Sequence, residues 1–378
     1  MYIRRTISKS IIDKIQNSGK IVVIYGARQL GKTTLSKKII DKLNLKTLLI
    51  NADQDKYVDV LSSKDLSRLK ALVDGYKLLF IDEAQRIPDL GINLKILHDE
   101  IPGLKILITG SSSINIANDI NETLTGRKWT YTLFPLSLQE LSAEKNRFEL
   151  QDALNDLLVF GAYPEVYTTV NFEQKKELLY EIVQSYLYKD ILELANIKHH
   201  KKIKDLLKLL AFQIGSEVSI LELSRTLGIN RETVESYLNL LEQSFVIYRL
   251  SGYNRNLRKE IKKQDKFYFY DLGIRNTVID NFSYPDIRGD LGALWENFII
   301  NERTKYLKNN LIFRGQYFWR TYTGAEIDYV EETDGKLTGY EIKLHKSKIK
   351  IPKTWAETYK NSSFYLINKK NFLDFLIE

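Results

Sequence analysis

Gly26-Ala27-Arg28-Gln29-Leu30-Gly31-Lys32-Thr33, followed by Thr34, fits the pattern G-x-x-x-x-G-K-[ST]. A β-branched run at 21–25 precedes it, and 34–43 has helical spacing, so the loop joins a strand to a helix. That context turns a string of letters into a phosphate-binding loop. The glycines let backbone N–H groups turn inward around an anion, and the dipole at the helix N-terminus adds to the attraction. Lys32 is expected on the β- and γ-phosphates of a nucleotide, and the Thr33 hydroxyl on Mg²⁺.

Working outward, 78–83 is an apolar strand that ends in Asp82 and Glu83. Such a strand buries its body and offers its C-terminal end to the ligand edge of a parallel sheet. Asp82 is expected to hold Mg²⁺ through water. Glu83 is expected to orient and deprotonate the attacking water, which argues for hydrolysis rather than binding alone. The competing reading of the pair is a helix N-cap. The next strand, 105–109, runs into Ser111-Ser112-Ser113. Ser111 and Ser112 are both candidates to touch the γ-phosphate or the water, against a plain turn and cap. Arg127 is a candidate γ-phosphate arginine, in cis or in trans, against an ordinary surface arginine.

Further strands are expected at 47–50 and 129–133, with a helix at 90–100. Strands alternating with helices imply a parallel sheet covered on both faces. Four parts follow along the chain: an ATPase-type α/β module at 1–145, a helical lid or linker at 146–212, a helix-turn-helix part at 213–270 and a smaller α/β domain at 271–378. With 378 residues, 44% apolar and 28% charged, the chain is long enough for several cores. Zero Cys exclude disulfides, thiolate catalysis and Cys-ligated zinc, and 4 His leave little for a zinc site. No run approaches a membrane span and no signal-peptide core opens the chain, so a soluble, cytoplasmic protein without a membrane partner is expected. Residues 1–250 hold 34 Lys+Arg against 31 Asp+Glu, and 251–378 hold 22 against 17. The basic C-terminal third permits an anionic partner such as DNA; a lysine-rich solvated surface reads the same.

The first 145 residues resemble the AAA-type ATPases of the additional-strand class. More narrowly, Gly26–Thr34, Ile81–Gln85, Thr109–Ser113, Gly126-Arg127, Pro135-Leu-Ser137 and Gly161-Ala-Tyr-Pro-Glu165 resemble an archaeal and bacterial "ATP-binding protein" family. Its members carry an AAA domain and a C-terminal domain of unknown function. Tyr268-Phe-Tyr-Asp271-Leu-Gly273 and Leu294-Trp-Glu296-Asn297-Phe298 also fit. Tyr186-Leu-Tyr-Lys189-Asp190 departs from it, with Lys189 where the family usually has arginine. The resemblance implies ATP and Mg²⁺ as ligands; a homo-oligomer stays open.

Two later stretches carry chemistry. In 220–253, a short helix closed by Gly228, a turn with Asn230 as N-cap, a second helix and an alternating strand make a winged helix-turn-helix pattern. The outer face of the second helix offers Arg231, Glu232, Thr233, Glu235, Ser236 and Asn239. Its two glutamates repel phosphate, so DNA contact and a protein-contact role are both open. In the last hundred residues Glu296 sits on a helix, Asp328 on an apolar strand and Glu341-Ile-Lys343 on the next. Period two places Glu341 and Lys343 on one face. This resembles the restriction-endonuclease-like superfamily with its Asp…Glu-x-Lys motif. The expected site is an oxygen-rich metal set of Glu296, Asp328 and Glu341 with Lys343 beside it, against an ordinary charge pattern on a solvated face. The expectation for the whole is a Mg-dependent ATPase coupled to DNA binding or processing. A regulatory switch with protein-binding modules, and an ATP-gated DNA-cutting effector, are the alternatives.

Overall fold

The computed structural model describes residues 2–110, 122–185, 200–253 and 265–377. The chain forms two compact units: residues 2–134 with 243–245, and residues 135–242 with 246–378. The continuous stretch of the first unit ends at Phe134.

Its sheet, among the described residues, has five strands: β1 (Ile21–Tyr25), β2 (Thr47–Asn51), β3 (Leu78–Asp82), β4 (Lys105–Gly110) and β5 (Lys128–Thr132). All pair in parallel, in the order β2-β3-β4-β1-β5. Each strand of β1, β3 and β4 reads as a near-continuous apolar run because helices cover both faces. Val23, Leu79, Ile81 and Ile108 are wholly buried against Leu94 and Leu97 of the helix Leu90–Glu100. Strand β4 lies between β1 and β3, so the loop after β1 and the carboxylates after β3 share one edge, with the end of β4 between them.

In the second unit a seven-stranded sheet runs β12-β11-β10-β9-β7-β8-β6. Its strands are β6 (Glu217–Val218), β7 (Ile247–Gly252), β8 (Asp265–Phe269), β9 (Gly315–Arg320), β10 (Glu326–Thr333), β11 (Lys336–Ile342) and β12 (Ser362–Ile367). The helices His200–Phe212, Ile220–Leu227 and Arg231–Gln243 belong to the β6-β8-β7 end. Gly228 takes φ +63 after the second of these, and Asn230 Oδ1 accepts from Thr233 N at 2.7 Å to start the third. At the other end β9, β10 and β11 are antiparallel, and β12 returns parallel to β11 through the helix Lys353–Thr358. Trp355 of that helix is buried edge-on against Trp319. Parallel pairing of β7 with β9 fuses the two ends into one sheet.

The segment Gly161-Ala-Tyr-Pro164 locks onto Asp271-Leu-Gly273. Asp271 is buried and caps the helix Leu272–Val278, accepting from Ile274 N at 3.1 Å, while its other oxygen accepts from Ala162 N at 2.7 Å. Burial pushes its carboxyl up to about 6 despite those bonds. Gly161 sits at φ +70, where a Cβ would meet Asp271 Oδ1 at 2.0 Å, and a Cβ on Gly273 would meet the Phe160 carbonyl at 2.1 Å. Both glycines are there for close approach of backbone. No helix among the described residues is long and apolar enough to cross a membrane.

Candidate functional site: a nucleotide edge and a lysine-bridged carboxylate cluster

The phosphate loop turns through two left-handed residues, Gln29 at φ +60 and Gly31 at φ +85, before the helix Lys32–Leu43 begins. Gly26 lies so close to β5's exit that a Cβ there would meet the Leu133 carbonyl oxygen at 2.3 Å. Ala27 and Leu30 are buried under the loop; Arg28 is half-buried, and Gln29 and Thr34 are exposed. Arg5 holds the loop from below by donating to the Leu30 carbonyl at 3.3 Å.

Lys32 is 5% exposed, and its Nζ donates to the carbonyls of Gly26 and Ala27, both at 2.8 Å. Burial draws its pKa down to about 8, and Glu83 and Asp82 partly offset that. An ammonium held this dry gains more from an anion than a solvated one does. Thr33 Oγ1 donates to Asp82 Oδ2 at 2.7 Å, so the loop hydroxyl and the β3 carboxylate reach the same position. Thr109, at the end of β4, donates its hydroxyl to the other oxygen of Asp82. Glu83 follows at φ +54, and the Gln85 amide donates to its carboxylate.

Lys32, Thr33, Asp82 and Glu83 are therefore gathered at one edge as expected. Thr109 was missed as a site residue. The signal was the hydroxyl at the C-terminal end of the strand between β1 and β3, masked by the serines after it. Ser111 and Ser112 lie outside the described residues, as do Lys189 and Asp190. For Arg127, expected in cis or in trans, the geometry bears on the role in cis. Its carbonyl accepts from Ile21 N at 2.9 Å, at the opening of β1, whereas the phosphate loop leaves the other end of that strand, about 13 Å away at the rise of a strand. Its guanidinium pairs with Asp99 at 2.9 Å, and the hydrogen bonds from Arg127 and then His98 draw the Asp99 carboxyl down to about 2. Arg127 cannot reach the phosphates of its own loop, and a role in trans would first have to break the Asp99 pair.

An inserted strand between the two motif strands, a buried loop lysine and a Thr–Asp pair define a phosphate-loop ATPase of the additional-strand class. Residues 18–142 match the family described as "AAA domain". Over those residues the chain carries an AAA-type ATP-binding domain, and the chemistry such a domain supports is ATP hydrolysis. Residues 151–284 and 291–375 match two domains of unknown function, DUF8612 and DUF4143. The chain is similar to an uncharacterized protein of Mycobacterium tuberculosis, 29% identical over 346 residues, 91% of this chain and 74% of the relative. An uncharacterized protein of Methanocaldococcus jannaschii is 27% identical over 320 residues, 78% of this chain and 72% of the relative. Among solved structures, the Thermotoga maritima RuvB Holliday junction branch migration motor is 17% identical, covering 65% of this chain and 90% of that chain at a TM-score of 0.33. A score that low establishes no shared fold.

In the second unit, the register of β10 against β9 shifts between Ile327 and Val330, which re-aims Asp328. Asp328 Oδ2 accepts from Ile342 N at 2.7 Å and from Lys343 Nζ at 2.8 Å. Lys343 Nζ also pairs with Glu341 at 3.0 Å. Asp328, Glu341 and Lys343 thus share one face, as the period-two reading expects. Glu296 feels the charges of Asp328 and Lys343, but its hydrogen bonds go to β8. It accepts from Tyr268 Oη at 2.6 Å and from Lys266 Nζ at 3.4 Å, and Lys266 pairs with Glu326 at 2.6 Å. Burial raises the Glu296 carboxyl to about 7 against the pull of Lys266. Burial opposes the charge of Lys343, but Asp328 and then Glu341 outweigh it and hold the ammonium above its usual range.

The expected metal set of Glu296, Asp328 and Glu341 is a correction. Among the described residues no group of three or more His, Cys, Asp or Glu is arranged to hold a metal ion. Two ammonium groups take that role: Lys343 bridges Asp328 and Glu341, and Lys266 bridges Glu296 and Glu326. Sequence spacing could not show Lys266, because β8 reaches the cluster only through the fusion of the two ends of the sheet.

Proposed function

We propose that the AAA unit hydrolyses Mg·ATP and that the second unit couples this to DNA. At the nucleotide edge, Thr33 and Asp82 would hold Mg²⁺, which would neutralise charge on the transferring phosphoryl group. Lys32 binds the phosphates. Glu83, presented by its left-handed turn and held by Gln85, takes the proton of the attacking water. Asp82 stays in place through Thr33 and Thr109.

The observation that carries the DNA reading is the helix, β6, helix, helix, β7, β8 order with β6-β8-β7 pairing, the arrangement of a winged helix. On its second turn-helix, Glu235 is paired with Arg249 at 3.3 Å, so one of the two glutamates that counted against phosphate contact is already neutralised. Arg231, Glu232, Ser236 and Asn239 are exposed on that helix. No cleavage is assigned to the lysine-bridged carboxylates. The test is ATP turnover by the full chain with and without duplex DNA at low salt. Turnover is expected to rise several-fold with DNA and to lose that rise as salt increases. Turnover indifferent to DNA at every salt concentration would move the second unit to the protein-binding switch.

A further inference from the structure

We infer that the C-terminal ends of β11 and β12 carry a phosphate-backbone site for nucleic acid, built from six lysines. The inference rests on the DNA reading and places its contact on a surface away from the turn-helix. Leaving β11, the chain runs through Lys346, Lys348, Lys350 and Lys353; leaving β12, it runs through Lys369 and Lys370. Between 344 and 356, and between 368 and 373, there is no Asp or Glu.

The fold brings the two runs together. Asn368 Nδ2 donates to the Lys346 carbonyl at 2.9 Å, and Lys369 N donates to the Leu344 carbonyl at 3.3 Å. At the root of the pair, Lys343 N donates to the Ile367 carbonyl at 3.0 Å. Buried Trp355 anchors the far end of the first run.

All six lysines are exposed, and none forms an ion pair among the described residues. Lys343 and Lys266 are each shared between two carboxylates, whereas the six have no carboxylate partner among the described residues. Unneutralised ammonium groups on two adjoining runs attract a polyanion, which releases its own counterions as it binds. No aromatic is interleaved with the lysines in the two runs, apart from buried Trp355. The partner is therefore a phosphate chain read by charge, as in the non-specific part of DNA binding, rather than a base or a small nucleotide.

The experiment measures duplex DNA affinity of the full chain over a salt series for three proteins. These are the wild type, Lys346→Ala/Lys348→Ala/Lys350→Ala, and a control on the other unit, Lys42→Ala/Lys70→Ala/Lys95→Ala. Each phosphate contact contributes about 0.9 to the slope of log affinity against log salt. The first variant is expected to lower that slope by roughly 2 to 3 units, and the control to leave it unchanged. Basal ATP turnover, unchanged in the first variant, reports that it is folded. A wild-type slope retained by the first variant overturns the lysine site and leaves the DNA reading standing. A wild type that binds no DNA at low salt overturns both. Binding of anionic phospholipid vesicles that is lost in the variant while its DNA slope is kept would assign the lysines to a membrane surface and overturn the inference.

Discussion

Glu83→Gln is expected to keep ATP binding and to lose turnover by ~10²-fold or more, the largest effect of any conservative substitution at the nucleotide edge. The glutamine keeps the size of the side chain and one oxygen. It loses the basicity that draws a proton from water. Lys32 and its two carbonyl acceptors, and the Thr33–Asp82 pair, do not depend on the Glu83 charge for their geometry. Nucleotide binding measured by fluorescence should therefore survive, while phosphate release falls. Lys32→Ala should differ by losing the binding itself. Wild-type turnover in Glu83→Gln would remove Glu83 as the general base and leave the site a binding pocket.

The second large effect is structural. Gly161→Ala places a Cβ at 2.0 Å from Asp271 Oδ1 on a residue whose φ is +70. At φ +70 and ψ −155 a non-glycine residue costs roughly 1–3 kcal/mol, and displacing a packed neighbour adds about 1–3 kcal/mol. Moving Asp271 would also break its bond from Ala162 N, which joins two segments far apart in sequence, and its cap of the helix Leu272–Val278 through Ile274 N. A loss of about 3 kcal/mol or more is expected in urea unfolding of the second unit. Gly273→Ala should match it, through the Phe160 carbonyl. Gly335→Ala, where a Cβ meets nothing within 4 Å, should show only the φ cost. Equal, small losses at all three would mean that the Gly161–Asp271 lock contributes little.

How much of this was legible depends on the range of the interactions. The nucleotide edge was legible because a parallel sheet obliges strand ends to converge, so a motif after β1 and a carboxylate pair after β3 meet whatever lies between them. The Asp328, Glu341 and Lys343 face was legible because strand alternation is local. The cis role offered for Arg127 failed because a sequence motif gives no sign of which end of a strand it occupies. It precedes β5, at the edge opposite the loop. Glu296 was assigned to a metal because its real partners, Lys266 and Tyr268, lie on β8, and neither that strand nor the β7–β9 pairing is announced by any spacing. The Gly-Ala-Tyr-Pro and Asp-Leu-Gly segments looked like site motifs. They turn out to hold each other.

The claim at the centre is that nucleotide state and DNA are coupled through one chain, and coupling is reciprocal: if DNA favours one nucleotide state, that state must favour DNA. The direct measurement is the dissociation constant for a duplex, at one low salt concentration, of Glu83→Gln saturated with Mg·ATP and of the wild type saturated with Mg·ADP. The account expects the two constants to differ by at least ~5-fold, the lower end of ordinary allosteric coupling. Equal constants in both nucleotide states, at a salt concentration where DNA is bound, would contradict it.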